Sequence, residues 1–240
     1  MVIYRLIGSM AIGCVALAAA SAQAVRDTPP RGGAPPVVEA RAASPSHVLA
    51  VVLSGDGDWA DLVKTLARGL NEHGISVVGL KSRSYLKGAK RTPESSARDL
   101  AAILDDYLAS WNADSVMVVG YSRGADIGPF MVARLPERLR SKVYLVALLS
   151  PSKMASFEFH LMDLFSNKSR GTDLPIRPEV DRLTGIRLLC VYGTEEVEDS
   201  LCPALGPGQA TVVAKSGGHH LDKNYVALGE LLVAEWREAR

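Results

Sequence analysis

One serine in the 240-residue chain sits where a hydroxyl can become a nucleophile. The apolar run Val116-Met117-Val118-Val119 leads straight into Gly120-Tyr121-Ser122-Arg123-Gly124, and a helical pattern follows. A strand that turns sharply into a helix through G-x-S-x-G is a nucleophile elbow, which leaves the serine hydroxyl at the end of a sheet. The glycines keep bulk out of the turn. The helix N-terminus favours negative charge developing beside the serine.

Such a serine needs a base, an acid and an oxyanion hole. In the chain order Ser, acid, His the base follows the last strand. Ser216-Gly217-Gly218-His219-His220 lies there, after Val212-Val213-Ala214-Lys215. Adjacent histidines cannot both point inward, so His219 is the expected base and His220 a packing neighbour. The acid follows the penultimate strand, in Gly193-Thr194-Glu195-Glu196-Val197-Glu198-Asp199-Ser200-Leu201-Cys202-Pro203. Four carboxylates compete. Asp199 is favoured because a disulfide at Cys202 would fix its loop, and Glu196 is the alternative. The expected oxyanion donors are the main-chain N–H of Arg123 and that of Asp56, in the glycine-rich Leu53-Ser54-Gly55-Asp56-Gly57-Asp58-Trp59. His47 and His73 read as ordinary surface residues, and His160, beside Phe157 and Phe159, as a lesser candidate for the pocket.

The elements that must hold these groups are legible as alternating patterns. Strands are expected at Val48–Leu53, Ser76–Leu80, Ser115–Val119, Val143–Leu149, Arg187–Tyr192 and Ala210–Ala214. Their nearly unbroken apolar character indicates burial on both faces, as in a parallel sheet. Helices are expected at Trp59–His73, Pro93–Ser110, Ser122–Leu135 and Asp222–Arg240, the second opening on Thr92 as N-cap with Pro93 behind it. The fold class is α/β, an α/β-hydrolase-like arrangement. It has a six-stranded, mostly parallel sheet with helices on both faces and a minimal cap. Residues 151–183 are read as loop, too short for a large lid.

Composition bounds the rest. Apolar residues make up 48% and charged residues 22%, an ordinary globular balance. With 27 basic and 26 acidic residues there is no basic excess for a nucleic-acid partner. Residues 1–24 read as a signal peptide: Arg5, an apolar run from Leu6 to Ala20, and Ala22-Gln23-Ala24 for cleavage after Ala24. An uncleaved anchor is the alternative. Cys14 is not read as a lipid attachment site, because Ala11 stands where leucine is usual. Residues 25–46, with Pro29-Pro30 and Pro35-Pro36, read as a flexible linker, and 47–240 as one domain. Export leaves Cys190 and Cys202, an even pair in an oxidising compartment, and a disulfide between them is expected. No H-E-x-x-H, C-x-x-C or G-x-x-x-x-G-K-[ST] motif is present, and no metal or cofactor is expected.

The stretches 53–59, 120–126, 192–203 and 217–220, in this order, resemble the AcvB/VirJ family of bacterial virulence proteins, from about His47 to the C-terminus. The resemblance implies an α/β-hydrolase fold, a periplasmic location and hydrolysis of the aminoacyl ester of lysyl-phosphatidylglycerol to lysine and phosphatidylglycerol. It implies Ser122 as nucleophile, His219 as base and Asp199 as acid. The chain departs from the family pattern at Asp58, where glycine is usual, and at Arg123. A cation at Arg123 would repel a lysyl ammonium, and Asp56, Asp58 and Asp126 are expected to offset it, Asp58 and Asp126 as substrate-binding residues. The expected partner is an aminoacylated phospholipid or a small ester, met by peripheral contact with a membrane. The alternatives are a non-catalytic binding or secretion-associated protein on a hydrolase scaffold, and a general esterase or thioesterase.

Overall fold

The structure, a computed structural model, describes residues 26–28, 35–158 and 171–239. The expected signal peptide with its cleavage point, Cys14 and His160 lie outside the described residues.

In chain order the elements are β1 (Arg26–Thr28), β2 (Val37–Ala40), β3 (Val48–Leu53), α1 (Asp61–Glu72), β4 (Ser76–Leu80), α2 (Ser82–Gly88), α3 (Pro93–Ser110), β5 (Ser115–Tyr121), α4 (Arg123–Ala133), α5 (Glu137–Arg140), β6 (Val143–Leu149), β7 (Met154–Ala155), β8 (Leu174–Pro175), α6 (Arg177–Val180), β9 (Arg187–Gly193), β10 (Thr211–Lys215) and α7 (Tyr225–Glu238). The main sheet runs β1-β2-β4-β3-β5-β6-β9-β10. From β4 to β10 every pairing is parallel.

Side-chain alternation explains why helices cover both faces. Leu49, Val51 and Leu53 of β3 join Leu100 and Leu104 of α3 and Ile127 and Met131 of α4. Val48, Ala50 and Val52 point the other way, to Leu66 and Leu70 of α1 and Leu232 and Trp236 of α7. The strand β3 thus feeds two cores, so its residues are apolar and buried at every position. The helix α3 starts as the sequence implies: Thr92 Oγ1 accepts from Ser95 N–H at 3.2 Å and Ser95 Oγ from Thr92 N–H at 2.9 Å. The chain leaves β3 for β4 on one side and returns through α3 to β5 on the other. A crevice opens at such a switch point, beyond the carboxyl ends of the strands.

Three expectations need correcting. Eight strands, not six, form the main sheet among the described residues. The additional pair comes from 25–46, expected to be a flexible linker throughout. The strand β2 pairs antiparallel with β4, Val38 opposite Gly79, and Val37, Val38 and Ala40 are buried. Glu39 accepts from Tyr107 Oη at 2.8 Å. Four residues among prolines are too few to show a period, but the edge of β4 supplies the partner that makes them a strand. The segment 151–183, expected as loop, carries the short β7–β8 pair and α6. The helix α2 was not expected at all; at seven residues it is too short for an apolar repeat.

Candidate active site

Ser122 stands between β5 and α4 at φ 54°, ψ −123°. That left-handed conformation is costly for a residue with a Cβ, and the surroundings enforce it. A Cβ at Gly124 would lie 2.1 Å from Leu53 O, and one at Gly120 would lie 2.5 Å from Gly124 O. Only glycine at both positions lets α4 begin this close to the end of β3. The side chain of Ser122 is half-exposed at the carboxyl end of the sheet.

His219 arrives from the loop after β10. Its Nε2 is 2.7 Å from Ser122 Oγ, across 97 residues of sequence. Its carbonyl accepts from Ser150 Oγ at 3.0 Å and from Tyr121 Oη at 3.3 Å. His220 turns away, with Nδ1 2.9 Å from Tyr121 Oη. Burial pushes the Tyr121 hydroxyl up from its ordinary pKa, so it stays a donor. His220 therefore holds the residue that holds the main chain of His219.

The carboxylate at His219 is Glu196, with Oε2 3.1 Å from Nδ1. Asp199, the acid favoured from the sequence, is exposed, and its N–H turns back onto Glu196 O at 3.1 Å. The reason is local. A 3₁₀ turn, Thr194–Glu196, follows β9 at once. The main chain also crosses close to the histidine loop, with Gly217 and Gly218 oxygens 2.5 and 2.2 Å from where a Gly193 Cβ would stand. Glu195 N–H donates to Gly217 O at 3.0 Å. Glu196 thus reaches His219 from three residues after the strand, while Asp199 lies beyond the turn. The expected disulfide is present: Cys190 and Cys202 are bonded, Cα atoms 5.5 Å apart, and both are fully buried. It ties β9 to the far end of the loop that carries Glu196.

The loop after β3 meets the elbow directly. A Cβ on Gly55 would lie 3.1 Å from Ser122 Cβ, and Asp58 N–H closes a turn onto Gly55 O at 3.0 Å. Asp56 is the next residue, and Arg123 opens α4, where an N–H points out of the helix's own ladder. The side chains of these two residues are bidentate partners: Arg123 Nε to Asp56 Oδ1 at 2.6 Å and Nη2 to Oδ2 at 3.0 Å. Trp59 anchors the loop, its ring lying where a Gly79 Cβ would stand.

The two acids expected to meet substrate each accept hydrogen bonds within the fold. Asp58 sits at φ 50°, a region glycine and aspartate tolerate best. Its carboxylate accepts from Ser84 N–H at 3.1 Å and Ser84 Oγ at 2.6 Å, in the first turn of α2. Asp126 Oδ1 accepts from Ser152 N–H at 2.8 Å, joining α4 to the segment after β6. Burial pushes the Asp126 carboxyl up to about 7, against the lowering pull of the Ser152 N–H and of Arg123; Asp56 pushes the same way as burial. Asp56, one of three acids expected to offset Arg123, is the one that pairs with it; the bidentate geometry, between residues 67 apart, has no local signal. Sequence reasoning missed Ser150, since an isolated serine after a strand is unremarkable. Among the described residues no three His, Cys, Asp or Glu side chains are grouped to hold a metal ion.

The fold has many solved counterparts. Est1E from Butyrivibrio proteoclasticus, with ferulic acid bound, is 14% identical over 85% of this chain and 94% of its own, at a TM-score of 0.60. An α/β serine hydrolase without lid from Xanthomonas campestris is 17% identical over 90% and 95%, at 0.59. An α/β serine hydrolase homologue from Coxiella burnetii is 20% identical over 87% and 96%, at 0.58. These likenesses establish the α/β-hydrolase fold. No curated protein sequence matches the chain. The sequence profile of the bacterial virulence protein (VirJ) family matches residues 47–240, and the chain belongs to that family.

Proposed function

We propose that the chain is an exported serine hydrolase of carboxylic esters, with the aminoacyl ester of lysyl-phosphatidylglycerol as its substrate. The observation that carries the hydrolase reading is the relay on the strained elbow, Ser122 Oγ to His219 Nε2 at 2.7 Å and His219 Nδ1 to Glu196 Oε2 at 3.1 Å. Nδ1 carries the proton donated to Glu196, which leaves Nε2 to accept the proton of Ser122. Ser122 Oγ attacks the ester carbonyl as that proton moves to Nε2. The N–H groups of Arg123 and Asp56 receive the oxyanion. Collapse breaks the bond to the glycerol oxygen, which takes the proton from Nε2 and leaves as phosphatidylglycerol. A water then gives a proton to Nε2 as it attacks the lysyl ester of Ser122; the bond to Ser122 Oγ breaks, that oxygen takes the proton back from Nε2, and lysine is freed.

The aminoacyl substrate is supported by membership in the family and by the electrostatics of the mouth. Arg123 is neutralised by Asp56, so it does not repel a lysyl ammonium as an unpaired cation would. Glu195, Glu198 and Asp199 are exposed on the loop that carries Glu196. Ser122 is half-exposed, and the His219 side chain is 37% exposed, which suits a headgroup presented at a membrane surface. Export agrees with the Cys190–Cys202 disulfide.

The test is direct. Purified mature protein releases lysine from vesicles containing lysyl-phosphatidylglycerol, and Ser122→Ala does not. Labelling of Ser122 by a fluorophosphonate with no turnover of that lipid, but rapid turnover of simple acyl esters, would replace it with a general esterase or thioesterase reading. Neither labelling nor turnover would leave a binding protein on a hydrolase scaffold.

A further inference from the structure

We propose that the ion pair between Arg123 and Asp56 sets the width of the oxyanion hole. The inference rests on the hydrolase reading above. The two residues whose main-chain N–H groups would bind the oxyanion are the two whose side chains grip each other. Arg123 is the first residue of α4 and Asp56 lies in the loop after β3. They belong to different elements, which touch where Gly55 packs against Ser122 and Gly124 against Leu53 O, but no main-chain hydrogen bond is seen between Asp56 and Arg123.

The grip is well made for that task. Two parallel hydrogen bonds, at 2.6 and 3.0 Å, fix orientation as well as distance, which a single contact would not. The Arg123 side chain is 11% exposed and that of Asp56 26%, so solvent competes little for either. Trp59 and the Asp58–Ser84 hydrogen bonds anchor the far end of the loop, but Asp56 itself lies between Gly55 and Gly57 inside the turn closed by Asp58 N–H to Gly55 O. The Arg83 guanidinium reaches Asp56 O at 3.5 Å, at the limit of a hydrogen bond. The bidentate pair adds a directional side-chain link to the close packing of this loop on the nucleophile turn. An oxyanion donor acts by being in place before charge develops, and a displacement of a fraction of an ångström weakens it. Arg123 and Asp56 are therefore positioning residues through their side chains, whatever their N–H groups do.

This role separates from a plain structural one and from a charge effect. The probes are p-nitrophenyl butyrate for turnover, a hexyl trifluoromethyl ketone, whose adduct with Ser122 carries an oxyanion, and hexyl methyl ketone, which binds without one. Arg123→Gln and Asp56→Asn are expected to lower kcat by roughly 10- to 100-fold, short of the ~10²–10³ for deleting a donor, with KM within threefold. Inhibition by the trifluoromethyl ketone weakens in proportion, and binding of the methyl ketone does not change. The double variant is no worse than the poorer single one, because both break one contact. Arg123→Lys keeps the charge but loses the fork and falls with Arg123→Gln. Thermal melts of each variant show whether the fold survives; should Arg123→Gln fail to fold, Asp56→Asn and Arg123→Lys carry the comparison. Wild-type kinetics in Arg123→Lys would overturn the proposal in favour of charge alone. Unchanged trifluoromethyl ketone affinity in the variants, or equal loss for both ketones, would overturn it as well. A wild-type protein inert to both ester and fluorophosphonate would instead sink the hydrolase reading, and the proposal with it.

Discussion

His219 Nδ1 lies 3.1 Å from Glu196 Oε2, while Asp199, three residues further along the same loop, is exposed. The imidazole needs one fixed acceptor to hold its tautomer and to stabilise the imidazolium that forms. Glu196→Gln keeps the size of the side chain but removes its charge. It is expected to lower kcat by on the order of 10²- to 10⁴-fold, with little change in melting temperature. Asp199→Asn is expected to stay within about twofold of wild type, as an exposed substitution should. Steady-state kinetics of the two variants side by side make the check, and the reverse ranking would move the acid to Asp199.

The Cys190–Cys202 bond closes the loop that carries Glu196. Opening it should therefore affect both stability and the placement of the acid. The double variant Cys190→Ala/Cys202→Ala is expected to lose about 2–4 kcal/mol of stability, as for native disulfides of similar loop length. At a temperature where it is still folded, its kcat is expected to fall further than KM rises. Chemical denaturation together with kinetics on one preparation tests this. Full activity in the folded double variant would show that the 3₁₀ turn alone sets Glu196.

Asp126 makes stability depend on pH. Its folded pKa is pushed up to about 7, chiefly by burial, from an ordinary aspartate value. Below about pH 4 both folded and unfolded states hold the proton. Between about pH 4 and 7 the folded state keeps a proton that the unfolded state has released, so stability falls as pH rises. The limiting slope is about 1.4 kcal/mol per pH unit for this one group. Asp126→Asn keeps an acceptor for the Ser152 N–H and removes the titration. The variant's advantage over wild type is expected to grow from pH 4 to pH 7 and then level off. Melting temperatures across that range decide it, and a constant difference would contradict the assignment.

What could be read from the sequence depended on how local each signal was. Strands β3, β4 and β6 are legible to the residue, because burial on two faces leaves an unbroken apolar run. Ser122 and His219 are legible because each sits at the end of such a run, beside glycines demanded by close approach. Which carboxylate meets His219 is not legible, because four crowd one loop and the tight turn after β9 brings Glu196 to it. The strand β2 and the two-pronged grip of Arg123 on Asp56 are not legible either, although Asp56 is among the acids expected to offset that cation. Both exist through partners brought together by the sheet, Gly79 for Val38 and α4 for the loop after β3.

Asp58 provides a last discrimination, between a residue that meets substrate and one that holds a helix. Its carboxylate accepts from the N–H and the Oγ of Ser84, at the start of α2, and its φ is 50°. Asp58→Gly would relieve the backbone, since glycine takes this conformation freely. It would also remove the acceptor for Ser84 N–H, a loss of about 1 kcal/mol for a helix cap. The two effects oppose each other, so the net change in stability is expected to be under about 1 kcal/mol. Asp58→Ala keeps the strain and loses the cap, and is expected to be clearly less stable than Asp58→Gly. If the carboxylate had met the substrate ammonium, both variants would raise KM for a lysyl ester over that for a neutral ester. With the carboxylate committed to Ser84, the ratio of the two KM values is expected to stay within twofold of wild type in both. Michaelis constants for a lysyl and a neutral ester, measured with melting temperatures for both variants, test each half of the argument.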